Sequence, residues 1–129
     1  METENNNLKH IKGFDFDGVI SLGITPGKED VIITGRCIDE QVYVRGILQN
    51  RGINNKVYFN PLTLEERGNH TIKARLYSGR HKANTIGKLR NDGIIVTRFF
   101  EDDPIQLDCI KEEFPEVELV HIVSNLVQK

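Results

Sequence analysis

Short apolar runs rich in β-branched and aromatic residues alternate along this chain with stretches whose apolar positions recur every three or four residues. The first run, residues 11–21, places Phe14 and Phe16 in a strand and then Gly18 as a breaker that lets the chain leave at an angle. Residues 30–34 form a second apolar run, broken by Gly35-Arg36, and residues 56–60 a third. Residues 94–97 and 117–123 supply two more strands. Between them, Ile38, Val42 and Leu48 mark an imperfect helical face that stops near Gly52. Residues 80–92 predict a helix with Ile86 and Leu89 inward, and Asp103-Pro104 caps another that carries Ile105, Ile110 and Phe114. Residues 72–77 are ambiguous, with alternating Ile72, Ala74 and Leu76 favouring a strand, and residues 22–30 and 61–69 read as polar loops.

Strands alternating with helices predict an α/β protein, a three-layer Rossmann-like sandwich around a mostly parallel sheet. A chain of 129 residues is large enough for one such core and too small for two. Residues 1–9 read as a flexible lead-in and residues 10–129 as a single domain.

Composition narrows the class. With 38% hydrophobic and 28% charged residues the chain is of globular type, no run approaches the length of a membrane span, and the polar start is not that of a signal peptide. Cys37 and Cys109 lack metal-type spacing and read as small core residues in a reducing, cytoplasmic compartment. The net charge of −2 selects no partner, but its distribution is uneven. Residues 67–91 hold seven Lys/Arg and no acid, and residues 101–118 hold eight acids and one Lys. Such asymmetry describes either a site with a cationic and an anionic wall or two solvated helix faces.

The candidate chemistry sits at the strand ends. Side chains two apart on a strand share a side, so Asp15 and Asp17 direct two carboxylates into one space, where like charges resist ionisation unless a cation joins them. Acidic pairs of this kind hold Mg²⁺ or Ca²⁺, or divide the work of nucleophile and general acid; the competing reading is an Asp-Gly surface turn. Thr34 and Asp102-Asp103 also follow strands, and Lys82 opens a helix, so four segments deliver polar groups to one sheet edge. Phosphoryl transfer through an enzyme carboxylate needs this set: an anionic nucleophile, a divalent cation, donors for the phosphate oxygens, and a second carboxyl for the leaving group.

Asp15-Phe-Asp17-Gly-Val-Ile, Ile33-Thr34-Gly-Arg, Lys82 and Glu101-Asp102-Asp103 resemble, in type, order and spacing, the four motifs of the haloacid-dehalogenase-like (HAD) hydrolase superfamily. The resemblance covers residues 12–104. It implies a HAD-like fold, Mg²⁺ as cofactor, Asp15 as nucleophile and Asp17 as acid/base. It further implies phosphate binding by Thr34, Gly35 and Lys82, and Mg²⁺ held by Asp15, Asp102, Asp103 and the backbone carbonyl of Asp17. Ser78-Gly-Arg-His-Lys82 and Glu101-Asp-Asp-Pro are similar to the 3′-phosphatase part of polynucleotide kinase-phosphatases, which implies nucleic-acid 3′-phosphate ends or nucleotides as substrate. The segments between motifs leave no room for an inserted cap domain, so the resemblance implies a capless form with an open cleft.

Two rivals fail on the same letters. An EF-hand loop needs Gly at its sixth position, and counting from Asp15 that position is Ile20. A two-component receiver domain resembles the set in type, but its acidic pair comes first in the chain, whereas Asp102-Asp103 come last here. Each residue also has a plain reading: Asp103 as a helix cap, Thr34 as a strand-end hydroxyl, Lys88 in place of Lys82, Arg36 and Arg80 as substrate contacts or solvated charges. His10, His70, His81, His121 and Tyr77 carry no assigned role. The sequence therefore predicts a Mg²⁺-dependent phosphomonoester hydrolase. Its alternatives are a non-catalytic phosphate- or metal-binding module and a small sugar phosphatase closed by oligomerisation.

Overall fold

The computed structural model describes residues 7–123. Its strands are β1 (Lys9–Phe14), β2 (Val31–Cys37), β3 (Val57–Asn60), β4 (Ile94–Glu101) and β5 (Glu118–His121). The helices are α1 (Gln41–Asn50), α2 (Leu64–Arg67), α3 (Ile72–Asn91) and α4 (Pro104–Glu113). The sheet runs β3-β2-β1-β4-β5, and every neighbouring pair is parallel.

Successive strand residues point to opposite faces, and a parallel sheet covered on both must be apolar on both. That is why β2 begins Val-Ile-Ile rather than alternating. Ile11, Ile33, Val96 and Phe99 pack with Ile86 and Leu89 of α3 and Ile110 of α4 on one face. Phe14 and Ile32 pack with Val44 and Leu48 of α1 and with Val19 and Ile20 on the other. Phe14 and Phe100, on adjacent strands, stack with centroids 4.5 Å apart. The result is the three-layer α/β sandwich that the alternating pattern predicts.

Several elements depart from the pattern-based expectation. β1 starts at Lys9, and the lead-in expected over residues 1–9 falls mostly outside the described chain, which leaves out residues 1–6 and 124–129. Gly35-Arg36 does not break β2, which continues to Cys37; the missing side chain instead lets β2 approach α3, where a Cβ on Gly35 would lie 2.5 Å from Ser78 Oγ. Residues 72–77 are not a strand but the first turns of α3, capped by Thr71, whose side chain accepts from the Ala74 amide. The loop after β3 contains α2, one turn closed by a Thr63–Glu66 capping box.

Both cysteines are free; Cys37 is buried, Cys109 half-buried, and burial pushes both thiols up, away from reactivity. Among the described residues no helix is long and apolar enough to cross a membrane.

From β1 the chain builds outward to β2 and β3 on one side and to β4 and β5 on the other. The crevice beyond the carboxyl ends of β1 and β4 is therefore the switch point, where open α/β sheets form their sites.

Candidate functional site

At that switch point a cleft of about 490 Å³ opens, lined by Asp15, Asp17, Arg36, Lys82, Asp102 and Asp103 among others. Its floor is a buried ionic triad. Lys82, on the third turn of α3, is 1% exposed and sets its ammonium 3.0 Å from Asp15 Oδ1 and 2.5 Å from Glu101 Oε1. Glu101, the last residue of β4, is fully buried; its other oxygen accepts from the amides of Asp102 and Asp103 at 3.2 Å each. Asp15, just beyond β1, is anchored by its amide to Phe100 O at 2.9 Å, and its Oδ1 also accepts from the Phe16 amide at 2.8 Å.

Two buried carboxylates thus share a single ammonium. Burial lifts the Asp15 carboxyl well above the usual carboxylate range, Glu101 adds to the shift, and Lys82 opposes it. Burial works against the Lys82 charge too, yet Asp15 and Glu101 hold its pKa above the ordinary lysine value. Asp102 is pushed up to about 6 by partial burial and by Glu101. Breaking one member of such a buried set leaves an uncompensated charge, which is the strongly destabilising case.

Asp15, Glu101 and Asp102 each bring a carboxylate oxygen within 4.8 Å of the others. Hard oxygen donors with excess negative charge suit Mg²⁺ or Ca²⁺. Glu101 is already committed to Lys82 and two amides, so Asp15 and Asp102 are the better placed ligands. The chain is shaped for that approach. Gly18 has φ +79°, and a Cβ there would lie 2.0 Å from Asp102 Oδ2, so only glycine lets the β1 turn meet this carboxylate.

Asp17 stands on the rim with half its side chain exposed. Arg36 grips it through two bonds, Nε to Oδ2 at 2.8 Å and Nη2 to Oδ1 at 2.9 Å. The same guanidinium donates to Glu40 at 2.9 Å and lies 5.0 Å from the Tyr43 ring. Across the cleft, Asp103 caps α4 through the Ile105 amide and is gripped by Arg75 at 2.9 and 2.8 Å. Burial opposes its charge, but the bonds from Arg75, Ile105 and Gln106 hold its pKa below the usual range.

The chain matches no family model, no curated protein and no solved structure.

The fold brings Asp15, Asp17, Gly35, Arg36, Lys82, Asp102 and Asp103 to one cleft. Thr34, expected to bind phosphate, does not line it: the residue is fully buried, and its Oγ1 accepts from the Arg36 amide at 3.0 Å. Arg80 and Lys88 lie elsewhere, lining a separate groove of about 680 Å³ beside β3. Of the two lysines weighed from the sequence, it is Lys82 that reaches the carboxylates. Asp103 is outside the group of mutually close carboxylates and Glu101 is inside it.

Two residues without a sequence-based role also belong to the cleft or its floor. Glu101 had a signal, because an acid ending an apolar strand needs a buried partner and Lys82 was available. Arg67 had none; its guanidinium is held at the cleft by one long-range bond, to Gly35 O, and one local bond, to Gly68 O, both at 2.8 Å.

Proposed function

We propose that the chain is a divalent-cation-dependent phosphomonoester hydrolase. The supporting observation is the convergence of Asp15, Lys82 and Asp102, from three separate segments, on one cleft at the switch point of a parallel sheet. The order and type of these residues resemble the HAD superfamily, and Mg²⁺ is the cation we assign. Asp15 and Asp102 would hold it, and when bound it supplies positive charge that offsets repulsion between a carboxylate and a phosphate.

In this reading an oxygen of Asp15 attacks phosphorus, the ester P–O bond breaks, and the leaving oxygen takes a proton from Asp17. Water then attacks the phosphoryl group on Asp15, giving its proton back to Asp17 and releasing inorganic phosphate. Lys82 orients Asp15 and neutralises part of the charge on the transferring group, while Glu101 fixes Lys82. For Asp17 to donate, its pair with Arg36 must open, so substrate binding has to displace that guanidinium. The same clamp is what favours a second reading, a phosphate-binding module without turnover.

Steady-state hydrolysis of p-nitrophenyl phosphate separates them. The native chain should release nitrophenol with Mg²⁺ and not with EDTA, and Asp15→Asn should lower kcat by at least about 100-fold. Phosphate binding with equal inertness of native chain and variant would leave the non-catalytic module standing.

A further inference from the structure

The cleft contains more positive charge than the chemistry above uses. Arg36 is paired with Asp17 and Glu40, and keeps Glu40 once the Asp17 pair opens; Arg75 is paired with Asp103, and Lys82 with Asp15 and Glu101. Arg67 also lines the cleft, yet among the described residues it forms no ion pair. It is held by neutral carbonyls, Nη1 to Gly35 O and Nε to Gly68 O, which leaves Nη2 without a hydrogen-bond partner among those residues. A guanidinium bound only to carbonyls keeps its full charge for an incoming anion.

The side chain is also pre-positioned. Arg67 ends α2, which is closed by its capping box and tied down where the Leu64 amide donates to Asp39 at 3.0 Å. Gly68, at φ +85°, then turns the chain so that Asn69 and His70 join Arg67 along the cleft. His70 adopts φ +49°, a left-handed conformation uncommon for a residue with a Cβ. Asp15 and Lys82 lie on the buried floor, whereas Arg67 stands on the wall, on an element outside the sheet. A cleft of about 490 Å³ takes a whole small molecule rather than a lone phosphoryl group.

We propose that Arg67 is a specificity-determining residue. It binds a second phosphate of the substrate, so the preferred substrate is a phosphomonoester bearing at least one further phosphate or phosphodiester group. This rests on the phosphatase reading and extends it from reaction type to substrate class. Arg67 takes no part in the bond-breaking step.

Unhydrolysable ligands test the point without turnover. Isothermal titration in Mg²⁺ compares methylphosphonate with a ladder of α,ω-alkane bisphosphonates of increasing length. At a matching length the bisphosphonate should bind about tenfold tighter to the native chain, the gain expected from one charge-assisted pair. Arg67→Gln should bring the two ligands to within about twofold of each other while leaving methylphosphonate binding in place. Arg67→Lys, which keeps a point charge, should retain part of the gain. If no length binds better than methylphosphonate, or if Arg67→Gln weakens both ligands equally, the second-phosphate assignment is overturned and the phosphatase reading stands. If neither ligand binds the native chain, both fall together.

Discussion

Lys82 is the residue on which the site turns, because one ammonium serves two buried carboxylates. Lys82→Met should destabilise the fold by about 3–5 kcal/mol, since it strands Asp15 and Glu101 without a counter-charge. The double variant Lys82→Met/Glu101→Gln should recover at least about 1 kcal/mol of that loss. Urea unfolding measures both, and a double variant no better than the single one would refute the shared-charge account. His81, its neighbour, contributes a pH dependence of its own. Burial pushes its imidazole down to about 4, and its Nε2 lies 3.3 Å from Tyr58 O. Since the unfolded chain protonates it near its ordinary value of about 6.5, this contribution is fully present above about pH 6.5 and is lost as pH falls towards 4. His81→Asn should therefore lose less stability than the native chain between about pH 7 and about pH 5. Equal losses would show that burial of the neutral ring contributes nothing. At this scale the sequence was informative wherever a charge stood at a strand end, as with Asp15 and Asp102. It was silent on Arg67, whose partners are backbone carbonyls that no pattern of side chains reveals.

α3 is the element that the hydrophobic pattern described least well. Its buried positions include Ala74, Ser78, Lys82, Ile86 and Leu89, spaced three or four apart, so the helical face exists but is small and polar in its first half. A period sought in large apolar residues begins only at Ile86, which is why the alternation of Ile72, Ala74 and Leu76 competes with it. Ile72 is in fact largely exposed, and small residues are what let the helix lie close to Gly35 on β2. The cap was the better signal. Thr71→Ala should destabilise by about 1 kcal/mol, read by the same urea titration, because it removes the bond to the Ala74 amide. No change would mean that the first turn is held by packing alone. β2 carries a matching lesson: Gly35 looks like a breaker in one dimension and is a close-contact residue in three.

For the whole molecule, the parallel order β3-β2-β1-β4-β5 brings residues more than eighty positions apart to one crevice; the parallel α/β class was legible from the strand–helix alternation, the strand order was not. What alternation leaves open is how the charges pair once gathered: Asp17 with Arg36, Asp103 with Arg75, Glu101 with Lys82. On the proposed reading, the gathered carboxylates would also tie stability to a cation. Saturating Mg²⁺ should raise the melting temperature by several degrees, about 2.7 kcal/mol at a hundredfold excess over Kd, and Asp102→Asn should abolish the rise. The central claim is that a phosphoryl group passes through Asp15. Its most direct test is to mix the native chain with p-nitrophenyl phosphate and Mg²⁺, quench with borohydride, and map the reduced residue by mass spectrometry. The account predicts homoserine at position 15 and nowhere else, dependent on Mg²⁺; turnover with Asp15 unmodified and another carboxylate reduced would contradict it.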